Sequence, residues 1–266
     1  MKLLVTNDDG IHADGLRALA GELSRIARVT VVAPDREQSA IGTAVTLRQP
    51  LRVQKTKPLQ PGIETFAVDG TPSDSVIMAL ENLVDDRVSA VVSGINHGLN
   101  LGEDVLISGT VGAAMQAYLR GFPTLAVSVD YVNSQQHLDT AARVAAILVE
   151  KIVADSRMTD LFLNINLPDA PLSEIAGVKI TRLASESHIN TVVERGNGRR
   201  KYYWLVRQKA HQTRDKETDI WAVERGYISI TPLYTKRFNK AILPILNKWS
   251  ASLLQDLGKR SAEPSQ

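Results

Sequence analysis

The first two thirds of the chain alternate between short apolar runs and stretches of helical spacing. Leu3-Leu4-Val5, Val29-Thr30-Val31-Val32-Ala33, Thr65-Phe66-Ala67-Val68 and residues 88–92, 122–129 and 161–166 are compact β-leaning runs, the pattern of strands buried on both faces. Between them the spacing predicts helices over 14–25 (Leu16, Leu19, Ala20, Leu23), 74–84 (Val76, Ile77, Leu80, Leu83) and 137–152 (Ala142, Val144, Ala145, Ile147, Leu148). A further helix opens at Ser108 and runs through Leu119. Strand, helix and strand within the first 33 residues form a βαβ unit, which implies a parallel pair with a right-handed crossover. The expected class is α/β with a mostly parallel sheet.

Residues 46–53 read as extended structure, and the pattern changes after Gly177. Residues 178–182 and 202–206 read as strands of other sheets or hairpins, joined by the charged, glycine-containing stretch 194–201. Tyr227-Ile228-Ser229-Ile230-Thr231-Pro232 alternates as a strand. Residues 241–257 predict a helix with Ile242, Ile245, Leu246, Trp249, Leu253 and Leu254 on one face, a stripe that needs a partner surface.

Composition narrows the function classes. At 266 residues, 44% hydrophobic and 23% charged, the chain can bury a full core without staples. The absence of cysteine excludes disulfides, thiolate metal sites and thiol catalysis. No apolar run approaches the roughly 18 residues a bilayer span needs, and the first residues lead straight into a strand, so a cytoplasmic protein is expected. A net charge of +2 gives no compositional argument for stable nucleic-acid binding. The basic cluster Arg195, Arg199, Arg200 and Lys201 has no aromatics interleaved at the tip itself, and reads as a solvated hairpin tip.

Candidate chemistry collects at strand ends, where ligands of such sheets bind. The first strand ends in Asn7-Asp8-Asp9-Gly10. Two adjacent carboxylates repel each other unless protons, water or a cation offset them, and a hard divalent cation is one remedy. A turn at Asp9-Gly10 with Asp8 as a helix cap is the alternative. Ser39 lies in the polar loop after the second strand, where a turn or cap is its plain role. Ser93-Gly94-Ile95-Asn96-His97-Gly98-Leu99-Asn100 is glycine- and asparagine-rich and offers the Asn96 carbonyl as a neutral ligand. His97 has no second histidine at zinc-site spacing. Ser108-Gly109-Thr110 opens a helix whose N-terminus suits either a phosphate or a simple cap. Oxygen donors beside an anion site point to metal-assisted phosphoryl hydrolysis. The dinucleotide fingerprint, the P-loop and the GxSxG elbow are all missing, and Gly10 stands where an aspartyl-phosphate phosphatase would place its second Asp.

Val5-Thr6-Asn7-Asp8-Asp9-Gly10, Val32-Ala33-Pro34-Asp35-Arg36 with Ser39, Gly70-Thr71-Pro72-Ser73-Asp74, the stretch 92–100, Ser108-Gly109-Thr110-Val111 and the late Gly226-Tyr227-Ile228-Ser229-Ile230-Thr231-Pro232-Leu233 resemble, in order, the motifs of the SurE family of stationary-phase survival proteins. That resemblance implies a metal-dependent 5′-nucleotidase releasing phosphate from nucleoside monophosphates, with action on 3′-nucleotides and short polyphosphate also expected. A nucleotide-binding sensor without turnover is the alternative. It further implies that Asp8, Asp9, Ser39 and Asn96 hold one divalent ion per subunit, magnesium or manganese, with Asp8 and Asp9 as the catalytic carboxylates. Asn96, Asn100, Ser108, Gly109 and Thr110 would meet the substrate phosphate. Its fold implication is a Rossmann-like core over 1–177 with helices on both faces. Residues 178–266 would supply a hairpin, a strand returning to the core and a C-terminal helix. That second part would build a homodimer or homotetramer by segment exchange. Asp14 stands where the family commonly has proline.

Overall fold

The computed structural model describes residues 1–84, 87–130, 137–155, 158–186, 189–196, 201–207 and 215–234. The helix expected over 241–257 and the tip residues 197–200 lie outside the described residues. Met1–Leu233 forms one compact unit.

Its centre is a nine-stranded sheet. The parallel strands are β1 (Lys2–Thr6), β2 (Arg28–Pro34), β4 (Glu64–Val68), β5 (Ala90–His97), β6 (Thr124–Val129) and β7 (Phe162–Leu167). Side by side they run β4-β2-β1-β5-β6-β7, with β3 (Val53–Lys55) antiparallel outside β4. Beyond β7 come β11 (Tyr227–Pro232), antiparallel to it, and the edge strand β8 (Gly177–Ile180). Counting only the parallel strands, the order is that of the doubly wound dinucleotide folds, and its direction reverses between β1 and β5. The reversal opens a crevice beyond the carboxyl ends of those two strands, because the chain leaves them toward opposite faces.

Strand residues point alternately to the two faces, and helices cover both. Leu3, Val5, Val31 and Val92 join the core under α1 (Asp14–Leu23) and α4 (Leu138–Ala154). Leu4, Val32, Val68 and Val91 turn to the other side, against α2 (Pro72–Met78) and α3 (Gly109–Tyr118). Helix α2 continues as a π-helical turn, Ala79–Leu83, so together they cover the stretch the spacing predicts. Its start is a full capping box: the Thr71 hydroxyl accepts from the Asp74 N–H, and the Asp74 carboxylate accepts from the Thr71 N–H. The same carboxylate receives the Thr46 N–H at 2.9 Å and the Thr46 hydroxyl at 2.6 Å. Asp74 is thus structural, and it ties the loop after Ser39 to the core.

Three segments depart from the pattern reading. Residues 46–52 are irregular, with the strand confined to Val53–Lys55, because Thr46 is bonded to a helix start instead of a neighbouring strand. The glycine-rich stretch after Val92 is not all loop, since β5 continues to His97 across a register shift between Ser93 and Asn96. The charged stretch does not join 178–182 to 202–206. A further strand, β9 (Ile189–Gly196), pairs antiparallel with β10 (Lys201–Arg207) as a separate two-stranded sheet, while β8 pairs in parallel with β11. The polar Asn190, Thr191 and Glu194 within β9 hide its strand character from a hydrophobicity pattern. A short helix, α5 (Asp219–Glu224), is capped by Thr218 just before β11.

Candidate active site

The loop leaving β1 is built to hold two carboxylates at the crevice. The Asn7 side-chain amide donates to the Gly10 carbonyl at 3.0 Å, closing the turn, and Ile11 N–H donates to the Pro34 carbonyl at 2.8 Å. Gly10 has φ +96°, and a Cβ there would lie 2.9 Å from the Arg36 carbonyl carbon, so only glycine fits. The β2 loop is held in turn by Gln38 N–H to the Asp8 carbonyl and Gly42 N–H to the Ile107 carbonyl, each at 2.8 Å.

Asp8 is 4% exposed. Its Oδ1 accepts the Thr110 hydroxyl at 2.5 Å, and the Thr110 N–H also bonds its carboxylate. Gly109 packs directly on it, since a Cβ there would sit 2.8 Å from Asp8 Oδ2. The first turn of α3 therefore lies against the end of β1. Burial pushes the Asp8 carboxyl up to about 7, the Thr110 hydrogen bond opposing this and the neighbouring Asp9 charge adding to it. Asp9 is half-buried; burial raises it to about 6, against the His97 N–H at 3.3 Å from Oδ2 and with the Glu37 charge pushing upward. Both carboxyls thus sit where burial disfavours their charged form, which is the electrostatic signature of functional acids.

From β5, Asn96 enters the same cluster. Its side-chain amide nitrogen donates to the Gly98 carbonyl at 2.7 Å, which turns Oδ1 to the other side as the acceptor end. The register shift before Asn96 is the local irregularity that re-aims a side chain at a strand end. Ser108 caps α3, its hydroxyl accepting from Val111 N–H at 3.1 Å. With Val111 and Thr110 engaged, the Gly109 N–H is the first-turn donor without a bond among the described residues.

Two candidates sit differently. The exposed Ser39 donates its hydroxyl to Glu37 Oε1 at 2.5 Å. Glu37, one of the groups acting on Asp9, was missed because an exposed glutamate in a polar loop looks ordinary. Asn100 is 3% exposed, and its side-chain nitrogen donates to Ser128 Oγ at 2.9 Å. Its backbone is clasped by Asn166: N–H to Oδ1 at 2.8 Å, and carbonyl from Nδ2 at 3.1 Å. Asn164 Nδ2 donates to the same carbonyl at 2.8 Å. These two asparagines also escaped the sequence reading, although polar residues two apart inside a buried strand are a legible signal of side chains serving a loop. Asp219, wholly buried, pins the other end of that loop by accepting from Gly102, Ala184 and Ile220 N–H groups, with burial raising its carboxyl. His97 brings its backbone N–H to Asp9.

The structure thus gathers Asp8, Asp9 and Asn96 with Ser108, Gly109 and Thr110 at one crevice, with Ser39 on the adjoining loop and Asn100 fixed behind. This is an α/β protein of the doubly wound class with an acidic site at its topological switch point. Comparisons with known proteins agree. Residues 3–190 match the family model described as Survival protein SurE. The 5′-nucleotidase SurE of Dehalococcoides mccartyi (strain CBDB1) is 51% identical over 255 residues, 96% of each chain. The 5′-nucleotidase SurE of Vibrio campbellii is 41% identical over 94% of each chain. The crystal structure of the SurE protein from Aquifex aeolicus superposes with a TM-score of 0.80 at 32% identity, covering 96% of this chain and all of that one. The chain belongs to the SurE family.

Proposed function

We propose that this protein is a metal-dependent 5′-nucleotidase that hydrolyses nucleoside monophosphates to nucleoside and phosphate. The observation that carries the reading is the pair Asp8 and Asp9, raised to about 7 and about 6 at the switch point, with the first turn of α3 packed against Asp8. The donors fit a hard cation: two carboxylates, an amide oxygen and a hydroxyl, with no sulfur or ring nitrogen required. A cation also answers the charge that burial disfavours. In this reading Asp8, Asp9, Asn96 and Ser39, the last released from Glu37, hold one divalent ion per subunit, magnesium or manganese, whose chemistry when bound is to polarise the phosphoryl oxygen.

The chain's own groups do the rest. Thr110 fixes the Asp8 carboxylate through hydroxyl and N–H, so the oxygen it presents to the crevice does not wander. Asp9, the more accessible of the two carboxylates, accepts the proton of the attacking water. The Gly109 N–H at the positive end of α3, with the side chains of Ser108 and Asn100, meets the phosphate oxygens as charge builds on them. 3′-Nucleotides and short polyphosphate present the same terminal phosphoryl group and are accepted too.

Residues 1–177 supply this chemistry; of 178–266, β8, α5 and β11 complete the same compact unit, and the rest supplies contacts between subunits of a dimer or tetramer. The hairpin supports that division: Tyr202, Tyr203, Trp204 and Leu205 are all more than half exposed. Among the described residues no helix is long and apolar enough to cross a membrane. A cysteine-free chain needs no oxidising compartment, which supports work in the cytoplasm.

The test is phosphate release from a panel of 5′- and 3′-mononucleotides with EDTA, magnesium or manganese, for wild type and Asp8→Asn. Metal-dependent release that collapses in the variant is expected. Nucleotide binding without release under any metal would replace the enzyme with a sensor.

A further inference from the structure

A second cleft lies on the α1 face of the sheet, away from the first turn of α3. It encloses about 330 Å³, within the size range of small-ligand pockets. Ile11, Pro58 and Leu59 give it an apolar floor; Ile11 is 2% exposed and, with Leu59 packed beside it, belongs to the α1-side core. His12, Arg17 and Lys57 stand around the rim, and among the described residues no acidic one lines it.

The cations at this cleft are not held in ion pairs among the described residues. Lys55, two residues before Lys57, is neutralised by Glu64 at 2.6 Å. Arg17 and Lys57 have no ion pair among the described residues, and Asp14, one helical turn before Arg17, makes none with it. Like charges gathered on a concave wall focus a positive potential outward and repel one another until an anion enters. An apolar floor beneath adds affinity for a molecule with a ring or chain attached to that anion.

We infer that this cleft is a second ligand site that takes a phosphate monoester. Arg17, Lys57 and His12 hold the phosphate, and Ile11, Pro58 and Leu59 carry the organic part. The site uses none of the residues assigned to hydrolysis, so it stands whether or not the nucleotidase reading holds.

The experiment is equilibrium dialysis of radiolabelled adenosine 5′-monophosphate against the full-length protein in EDTA, comparing wild type with the double variant Arg17→Glu/Lys57→Glu. Both side chains are exposed, so the variant is expected to melt within a degree or two of wild type. The variant should bind one nucleotide per chain fewer than wild type. The occupancy it loses should be competed by inorganic phosphate and not by adenosine. Equal stoichiometry in the two proteins overturns the site. Competition by adenosine alone, or inorganic phosphate binding tenfold tighter than the nucleotide, overturns the monoester as its ligand. Metal-dependent phosphate release, followed in parallel on both proteins, reports separately on the nucleotidase reading.

Discussion

At the scale of single residues, Asp8 sets stability against function. Its carboxyl ordinarily titrates near 3.8 and is raised to about 7 in the fold, so the metal-free native state binds a proton that the unfolded chain has already released. A raised acid contributes stability that is full below the unfolded value and is lost as pH climbs through the folded one. Between pH 4 and 8 the metal-free protein should therefore lose on the order of 3 kcal/mol through this group. Asp8→Asn keeps the oxygen that accepts from Thr110 and removes the charge. Urea melts in EDTA should show the variant more stable than wild type at pH 8 and nearly equal to it at about pH 3.5, below the unfolded value, while its metal-dependent turnover falls at least about a hundredfold. A variant less stable than wild type at both pH values would mean the carboxylate is not strained. Thr110→Val should act in the other sense. It removes a hydrogen bond that lowers the Asp8 carboxyl, so carbon-13 titration of metal-free protein should place Asp8 above its wild-type value.

At the scale of elements, the two sides of the site differ in how they are held. The β1 loop is fixed by local turn chemistry, whereas the Asn100 loop hangs on side chains from a distant strand. Asn166 satisfies both backbone groups of Asn100, and leucine in its place would leave a buried N–H unpaired and the carbonyl with only Asn164. Asn166→Leu is expected to lower kcat/KM for nucleotides about tenfold to a hundredfold, mostly through KM, with the far-ultraviolet circular dichroism of wild type retained. Unchanged kinetics would show that the clasp serves stability alone. Asp74→Ala would be a contrasting case: loss of the capping box and both Thr46 bonds should cost about 2 kcal/mol or more in a thermal melt. This division follows what could be read from sequence. Buried strands and amphipathic helices announce themselves by period, and Asp8, Asp9, Asn96 and the Ser108 turn sit at ends that the period locates. The Asn164–Asn166 clasp and strand β9 do not, because the first depends on a loop more than sixty residues away in the chain and the second is a polar strand that carries no hydrophobic signal; the Glu37 contact to Ser39 is local, but two polar side chains in a loop carry no period to mark it. Ser39 shows the same limit from the other side, since its loop position was legible and its bond to Glu37 was not.

At the scale of the whole molecule, the hairpin β9–β10 stands outside the nine-stranded sheet as a sheet of its own. Two strands alone are marginal in water and need a third strand or a packed face. This pair offers apolar groups on both faces of β10, because neighbouring residues alternate across a strand and Tyr202, Tyr203, Trp204 and Leu205 are exposed by 51%, 62%, 62% and 76%. Val192 on β9 is exposed by 58% and adds to this surface. Large aromatics left in water on a single chain forgo roughly 1.5–3 kcal/mol each, which association with another subunit would recover. The full-length protein should accordingly run in light scattering at no less than twice the mass of one chain. Trp204→Glu with Leu205→Glu places two charges in that contact, where burial would cost each of them several kcal/mol. The double variant should shift to lower mass, while retaining metal-dependent phosphate release at saturating substrate if each core carries its own complete site. Loss of oligomer with full activity would assign the hairpin to assembly alone. Loss of both would mean that a neighbouring subunit completes or steadies the crevice. An unchanged mass would remove the hairpin from the interface and leave its aromatic face to another partner.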